Sequence, residues 1–386
     1  MFQNDAWRAA MGAVLGVALL VTGCGEGTST GGTTKPAPAS EDEDAQPRAR
    51  VFSTLSLEQG KAGEVTALCW DAGTLHIGTR AGLKSATYLS RPRKLLLREI
   101  ASPSGRFEGQ EILALTGQKG ELLAGTSMGF GRFVPGLGWS SEETGRINGI
   151  ASAKGAIYAG RTTGVERRDA ANKGWDRLQI DPPLTRNQTS AQHVLALAAG
   201  REGELWAGTR FGLLHFLPAT GKWEHFYGAY QDIKSEKVVL DELGNADLGG
   251  NYVNSVRFDE ASGKLIVATD IGVSIFDGKW TVYTGEHTKY VVKDDNLARV
   301  AVKGNLALPS CEVRDALLED ASVLWIATKA GLARLAGPQL DVFDTERGLP
   351  DDTVNALAWD AASKTLFVGT AAGVAVVGYD GVASSE

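Results

Sequence analysis

This chain has few of the residues that build metal centres and disulfide frameworks. Its 386 residues include three cysteines and five histidines, and none of them has the spacing of a zinc site. Nucleophile-elbow, phosphate-loop and zinc-helix motifs are missing as well. The net charge of −7 disfavours a nucleic-acid partner, which requires a basic surface. We therefore expect no metal, no cofactor and no nucleic acid.

A hydrophobic run long enough to span a bilayer is also missing. The apolar run at residues 9–21 is too short for that role. Arg8 precedes it, and small residues lead from it to Cys24, an order typical of a bacterial lipoprotein signal. We predict a signal peptide over residues 1–23, a lipid on Cys24 and export to the cell envelope, at the outer membrane if the cell has one. An ordinary signal peptide that contains a cysteine is the alternative.

The following stretch, residues 24–50, contains little that a hydrophobic core could bury. Glycine, serine, threonine, proline and charged residues dominate it, a composition typical of a flexible tether. The acidic run at residues 41–44 is expected to be a solvated spacer, because ordering a chain costs about 1–2 kcal/mol per residue. The sequence thus predicts membrane attachment through an N-terminal lipid and a tether.

What the chain does contain is one phrase repeated seven times. Each copy has an aliphatic strand, a tight turn, an apolar strand that ends near Gly/Ala-Thr, and a glycine followed by an apolar residue, as in VLALAAGREGELWAGTRFGL at residues 194–213. The last glycines of the copies are Gly82, Gly129, Gly164, Gly212, Gly272, Gly331 and Gly373. Short alternating runs between turn residues indicate antiparallel strands, and a unit this small must pack on copies of itself. The predicted fold is all-β, a seven-bladed β-propeller of four-stranded antiparallel blades.

The seventh copy ends without an outer strand of its own. Residues 51–55 (VFSTL) precede the first copy just as residues 342–346 (VFDTE) precede the seventh. We therefore predict that an N-terminal strand closes the last blade, which ties the termini together and removes two open sheet edges. The propeller is assigned to residues 51–386.

The repeat resembles that of the two-component regulator propeller family. The best copy runs from Phe343 through the residues DTERGLP to the strand VNAL at residues 354–357, and the tryptophan of the second strand is kept at Trp206 and Trp325. The resemblance covers about residues 51–378 and implies a propeller of the kind that often forms the extracytoplasmic sensing part of a hybrid histidine kinase. This chain carries neither a transmembrane helix after the propeller nor a kinase segment, in contrast to that plan.

A first set of candidate ligand contacts lies in long connections. We name the strands of a blade A to D in chain order; the B–C turns and the D–A connections then share one face of the disk, the upper face. The insertions at residues 181–193, 227–252 and 285–312 all belong to it, and their aromatic and amide groups suit a polyol or peptide. The alternative is loop padding without function. The candidates are Tyr230, Tyr252, His287 and Tyr290.

A second set comes from aligning the copies. Cations recur in the B–C turns, and asparagines recur near the start of strand A, where the alignment also places Asp315 in the sixth copy. Such a ring would suit a carboxylate or sulfate, because arginine presents a planar fork to these anions; ordinary solvated turn residues are the alternative. The candidates are Arg80, Arg161, Arg210, Lys329, Asn148, Asn254 and Asn355.

The sequence offers recognition surfaces but no complete catalytic set. We expect a monomeric, lipid-anchored extracytoplasmic propeller that binds or senses a saccharide, a peptide or a protein and is not catalytic. One alternative is a propeller lyase or hydrolase acting on extracellular polymer, for which His193 and His287 are the available acid–base groups. Another is a structural interaction platform in an envelope complex.

Overall fold

The structure is a computed structural model, and part of the chain is described by it. The described residues are 48–57, 60–98, 109–118, 120–169, 174–180, 188–234, 237–242, 244–293 and 296–380. The expected signal peptide, Cys24 and nearly all of the expected tether lie outside these ranges. Among the described residues, no helix is both long and apolar enough to cross a membrane.

Seven four-stranded antiparallel sheets form the body of the molecule, which confirms the predicted fold. Blade 1 consists of β2 (Val65–Asp71), β3 (Thr74–Thr79), β4 (Gly82–Leu89) and β5 (Lys94–Arg98). Blade 2 consists of β6 (Ile112–Gln118), β7 (Glu121–Thr126), β8 (Phe130–Val134) and β9 (Gly138–Glu142). Blade 3 consists of β10 (Gly149–Ala153), β11 (Ala156–Arg161), β12 (Gly164–Asp169) and β13 (Asp176–Arg177).

The remaining blades follow the same plan. Blade 4 consists of β14 (Val194–Ala199), β15 (Leu205–Thr209), β16 (Leu213–Leu217) and β17 (Lys222–Phe226). Blade 5 consists of β20 (Val253–Asp259), β21 (Lys264–Thr269), β22 (Gly272–Phe276) and β23 (Trp280–Thr284). Blade 6 consists of β26 (Val313–Leu318), β27 (Val323–Thr328), β28 (Gly331–Ala336) and β29 (Gln339–Phe343). Blade 7 consists of β30 (Val354–Asp360), β31 (Thr365–Thr370), β32 (Gly373–Tyr379) and the N-terminal β1 (Ala49–Ser56).

The N-terminal strand closes the ring as predicted. Strand β1 pairs antiparallel with β32, from Ala49 opposite Tyr379 to Ser56 opposite Gly373, with a bulge between Val51 and Ser53. Each innermost strand lies against that of the next blade, and β30 of blade 7 lies against β2 of blade 1. The ring is therefore continuous, and its first and last segments share one sheet.

Two connections on the upper face carry β-hairpins, which we call the arms. Arm 1 consists of β18 (Tyr230–Lys234) and β19 (Lys237–Glu242), and arm 2 of β24 (His287–Lys293) and β25 (Asn296–Val302). They join blade 4 to blade 5 and blade 5 to blade 6, and β19 lies beside both strands of arm 2. The helical segments are the α-helix Gln188–Gln192 and the 3-10 turns Gly60–Gly63, Arg201–Gly203 and Thr345–Arg347.

Two features of the structure explain why the Gly/Ala-Thr pair recurs: the packing between blades and the geometry of the B–C turn. A Cβ on Gly208 would lie 2.5 Å from Cγ1 of Val253, the first residue of the next blade, so a small residue is needed where the neighbour's aliphatic side chain inserts. The hydroxyl of the following Thr209 donates to the carbonyl of Gly212 at 2.9 Å and closes the B–C turn. The repeated phrase thus reflects the contact between neighbouring blades as well as the turn within one blade.

The hydrophobic core lies between blades. One cluster contains Leu75 and Ile77 of blade 1 together with Phe367 and Val376 of blade 7, all fully buried. Other clusters join blades 3 and 4, 4 and 5, 5 and 6, and 6 and 7. This arrangement agrees with the expectation that one unit cannot bury its own apolar face.

Candidate functional site

An arc of alternating charges lines the upper face where the innermost strands begin. The Arg80 guanidinium bridges two carboxylates, Glu64 and Glu111, each at 2.6 Å. Glu111 also lies 3.7 Å from Arg146. The charge of Arg80 is therefore balanced by two carboxylates of the protein itself. The remaining positive charge of this arc lies at Arg146.

Two arginines and a histidine, Arg146, Arg210 and His193, continue the arc between blades 3 and 4; we call this group the cation cluster, after its two guanidinium groups. Arg210 follows Thr209 in the B–C turn, and its backbone N–H donates to the carbonyl of His193 at 3.1 Å. Burial and then the charges of Arg210 and Arg146 hold the pKa of His193 below its usual value, so both guanidinium groups act electrostatically on the imidazole. Arg146 and Arg210 are exposed, and within the described part of the chain Arg210 makes no ion pair.

Blade 6 carries a second charged group on the upper face. Glu312 pairs with Arg314 at 2.9 Å and lies 3.9 Å from Lys329. Burial raises the pKa of the nearby Asp270 carboxyl to about 6, and the charge of Glu312 adds to that shift. Lys329 thus shares its carboxylate with Arg314, and this side of the rim is more balanced in charge than the side of Arg210.

The three candidate asparagines connect neighbouring blades. Each side-chain amide donates to the carbonyl of the first residue of the next innermost strand: Asn148 to Val194 at 2.8 Å, Asn254 to Val313 at 2.8 Å and Asn355 to Val65 at 2.9 Å. In blade 1 the hydroxyl of Thr66 makes the equivalent bond to Ile112 at 2.5 Å. Each of these amides therefore links two neighbouring blades of the ring.

The strand register corrects one position of the repeat alignment. Val313 pairs with Thr328 and Asp315 with Ala327, as Val253 pairs with Thr269 and Ser255 with Ala268 in blade 5. The residue equivalent to Asn254 is therefore Arg314, one position before the Asp315 that the alignment placed there. The copies differ in sequence at this point, so the sequence alone does not fix the strand register to within one residue.

Arg161 stands where other blades have the turn threonine, and it is buried. Its guanidinium pairs with Glu166 at 2.5 Å and donates to the carbonyls of Thr144 and Gly145 at 2.8 and 3.0 Å. All of these partners belong to blade 3 and to the connection before it. The side chain fills the space of the missing threonine turn and contributes little charge to the rim.

The aromatic candidates divide into buried and exposed groups. Tyr230 is buried and packs edge-on against Phe211 with ring centroids 4.8 Å apart. His287 is buried and bonds through Nδ1 to the carbonyl of Gly285 at 2.8 Å. Tyr290, on arm 2, accepts a hydrogen bond from Nε of Arg299 at 2.9 Å, whereas Tyr252 is 38% exposed on the upper face.

The arms share an anchor that sequence reasoning missed. Asn245 accepts a bond from the N–H of Tyr227 at 2.8 Å and donates to the carbonyl of His225 at 2.8 Å. Asn305 makes the same pair of bonds with Thr284 and Val282 at 2.8 and 2.7 Å. Both asparagines follow a glycine whose added Cβ would collide with a backbone carbonyl. The repeated Gly-Asn pair, followed three residues later by leucine, is the signal that could have revealed two related insertions.

The central channel contains a charged clamp in its lower half. Nε and Nη2 of Arg257 donate to the two carboxylate oxygens of Asp315 at 2.9 and 2.6 Å, and Nη2 also donates to the carbonyl of Leu357 at 2.6 Å. Asp315 is further bonded by the hydroxyl of Ser255 and by the N–H of Leu357. The clamp joins blades 5, 6 and 7, so its first role is to fix the inner ring.

A cavity of about 320 Å³ surrounds this clamp. Its lining includes Cys69, Trp70 and Trp359 beside Arg257. Cys69 is a free thiol, and burial followed by the charge of Asp71 raises its pKa to about 12, which makes it a poor nucleophile. An arginine among small and apolar residues at the fifth position of strand A was the available sequence signal for this cavity.

A wider groove of about 630 Å³ opens on the lower face under blades 2 to 4. Two of its arginines are paired within the protein, Arg132 with Glu121 at 2.7 Å and Arg168 with Glu142 at 2.7 Å. Across the ranges that the structure describes, no three His, Cys, Asp or Glu side chains are grouped as a metal site.

No protein-family model and no curated protein matches this chain. Solved structures do match it. The extracellular domain of a protein described as a hybrid two-component system, BT4673 from B. thetaiotaomicron, has a TM-score of 0.59 and 14% identity over 85% of this chain and 39% of that one. The corresponding domain of BT3049 from the same organism has a TM-score of 0.54 and 17% identity over 87% of this chain and 42% of that one.

A third match is virginiamycin B lyase from Staphylococcus aureus, with a TM-score of 0.56 and 11% identity over 86% of this chain and 99% of that one. This chain spans about two fifths of the length of the two extracellular domains. At such low identities the likeness concerns the fold alone. The comparisons agree with the geometry that this chain is a seven-bladed β-propeller.

Proposed function

We propose that this chain is an exported, lipid-anchored propeller that binds an anionic extracellular ligand at its upper rim, without catalysis. The observation that carries the proposal is the cation cluster of Arg146, His193 and Arg210 between blades 3 and 4. It gathers positive charge at one side of the rim of a protein whose net charge is −7. A ligand with carboxylate or sulfate groups fits this chemistry, because guanidinium groups bind such anions in bidentate fashion.

The exposed Arg210 is the group with the most free binding capacity in the cluster. Arg80 and Lys329 share carboxylates with the protein, while Arg210 has no ion pair among the described residues. Burial and the two arginines disfavour the charged form of the nearby His193 and lower its pKa. An incoming anion offsets the charges of the arginines and favours the imidazolium, so ligand binding should take up a proton and strengthen as the pH falls.

Export and anchoring are supported by the N-terminal sequence. The apolar run at residues 9–21 ends at Cys24 with the small residues typical of a lipoprotein signal. Two structures of the same fold are described as extracellular domains, which is consistent with an exported protein. The lipid would hold the propeller at a membrane surface while the rim samples extracellular polymers.

Calorimetric titration of the full chain with acidic oligosaccharides tests the binding site. We propose an oligogalacturonate tetramer and a sulfated tetrasaccharide as probes, with the methyl-esterified galacturonate tetramer as the neutral match. Arg210→Ala should weaken binding of an acidic probe at least tenfold, since a charged hydrogen-bonded contact is lost. Lys222→Ala, an exposed cation at the start of β17, should leave it unchanged. Equal binding of the ester, or no binding of either acid, would refute the site.

Membrane fractionation of cells tests the anchor separately. The unchanged chain should sediment with membranes, and Cys24→Ser should move it to the soluble fraction, because a signal peptide alone leaves no lipid on the mature protein. A Cys24→Ser protein that stays with membranes would remove the lipid from the proposal and leave the anion site standing.

A further inference from the structure

A basic and apolar surface lies on the lower rim of blades 1 and 7, where the N-terminal chain reaches the fold. We define this basic turn surface by Arg48, Leu89, Arg91, Lys94 and Lys364, all of which are exposed. Leu89 ends β4, Lys94 begins β5, and Arg91 lies in the C–D turn between them. Lys364 belongs to the A–B turn of blade 7. Both kinds of turn lie on the face opposite the cation cluster and the arms.

Described hydrogen bonds hold these segments together. The carbonyl of Arg93 accepts from the hydroxyl of Ser53 at 2.7 Å, and Nη1 of Arg93 donates to the carbonyl of Tyr379 at 2.7 Å. Tyr88, next to Leu89, bonds through its hydroxyl to Thr365, next to Lys364, at 3.1 Å. The turn of blade 1 is thus fixed to the closing strands of blade 7, and the surface is one continuous feature.

The cations of the basic turn surface are not neutralised by carboxylates of the described residues. Arg50 pairs with Asp380 at 2.7 Å, and Arg93 lies 4.1 Å over the ring of Phe52, so these two arginines have structural partners. Within the described ranges Arg91, Lys94 and Lys364 have no ion pair. An acidic protein therefore presents unpaired cations around an exposed leucine at the point where its N-terminal chain begins.

We propose that the basic turn surface contacts an anionic lipid membrane. Cations match phosphate headgroups, and an exposed apolar side chain between them can enter the headgroup region. The proposal rests on the lipid anchor at Cys24 put forward above. The chain from Cys24 to Arg48 can span about 80 Å at most, so the lipid alone does not decide which face meets the membrane. Contact through this surface turns the lower face to the lipid and leaves the cation cluster pointing away from it.

Cosedimentation of the full chain with lipid vesicles tests this contact. The probes are phosphatidylcholine vesicles with and without 30 mol% phosphatidylglycerol, at low and physiological salt. The anionic vesicles should bind more protein, and salt should reduce the difference. Arg91→Gln combined with Lys94→Gln should weaken binding to the anionic vesicles by about 25-fold, at about fivefold for each cation, and should leave binding to neutral vesicles unchanged.

A matched control uses two cations on the same face. Lys222, at the start of β17, and Lys279, in the C–D turn of blade 5, are exposed. Lys222→Gln combined with Lys279→Gln therefore makes the same change of charge on the lower face, across the ring from blades 1 and 7. This control should retain nearly full binding. An equal loss in both double variants, or no dependence on phosphatidylglycerol, overturns the proposal. Failure of the anchor appears differently, as release of the unchanged chain, or retention of Cys24→Ser with the membranes, in cell fractionation.

Discussion

Ionisable side chains inside the blades respond to pH in ways that burial alone does not decide. His215 is buried in blade 4 and stacks on Trp206, with ring centroids 3.7 Å apart and planes 1° from parallel. Glu204 and Glu224 lie 3.5 and 3.6 Å from its two ring nitrogens. Burial opposes the imidazolium, but the two carboxylates outweigh it and raise the pKa of His215 above its usual value. His225 in the same blade has a lowered pKa, because burial dominates there.

The pair predicts opposite pH effects on stability. A raised pKa in the folded state means that the contribution of His215 is fully present below pH 6.5 and is lost as the pH rises through the folded pKa. His215→Gln should therefore make the free energy of unfolding fall less steeply as the pH rises above 6.5. Urea denaturation at several pH values measures this pH dependence of the free energy of unfolding.

The control for this prediction is His225→Gln. Burial makes protonation of His225 unfavourable, so the unchanged protein loses its contribution as the pH falls below 6.5. The variant should flatten the stability curve on the acidic side and leave the alkaline side as it is. Parallel pH curves for the His215→Gln variant and the unchanged protein would contradict the assignment of charge to His215.

At the scale of elements, the contact between strand B of one blade and strand A of the next decides how tightly the ring closes. Strand B supplies a small residue, and the following blade supplies a branched aliphatic side chain, as at Gly208 and Val253. The asparagine and threonine side chains then link the start of strand A in one blade to the backbone carbonyl of the first residue of strand A in the next blade. Packing and hydrogen bonds thus act at one seam, repeated around the disk.

We predict that Gly208→Ala destabilises the protein. The added Cβ would lie 2.5 Å from Cγ1 of Val253 and 2.9 Å from Cγ2 of Val256, and overpacking of this kind costs about 1–3 kcal/mol. Thermal unfolding should show a lower midpoint. Gly249→Ala is the matched control, because its new Cβ would meet its nearest neighbour at 3.5 Å; a similar shift in both variants would argue against the seam as the cause.

At the scale of the whole molecule, closure by β1 makes the ring a single cooperative body. Strand β1 supplies the outer strand of blade 7 and reaches blade 1 through Ser53 and Phe52. Leu55 and Leu57 pack against the cluster between blades 7 and 1. Without them, the outer edge of β32 would be unpaired and the seam between the first and last blades would be partly open.

Deletion of residues 1–57 should therefore lower the unfolding midpoint and cause aggregation through the exposed edge of β32. A chain that begins at residue 48 is the control and should remain monomeric. Light scattering during thermal unfolding compares the two, and a synthetic peptide of residues 48–57 should restore solubility to the deleted chain. A deleted chain as soluble and stable as the control would show that closure contributes little.

The sequence by itself determined the architecture. Seven copies of one phrase, and the match between residues 51–55 and 342–346, predicted the number of blades, the order of their strands and the closing strand. This succeeded because each blade repeats the same local chemistry of alternating strands, turn residues and a small residue at the seam. This pattern is local, so it can be recognised from the amino-acid sequence without the three-dimensional structure.

Only the tertiary structure decided which side chains are free to act. The arginines and asparagines of the predicted ring look alike in the sequence, yet Asn254 bonds the next blade, Arg161 is buried against carbonyls and Arg80 holds two glutamates. Arg210 remains exposed. The partners that make this difference come from adjacent blades or from connections many residues away. The distances to these partners depend on how the blades pack, and the spacing of residues along the sequence does not contain that information.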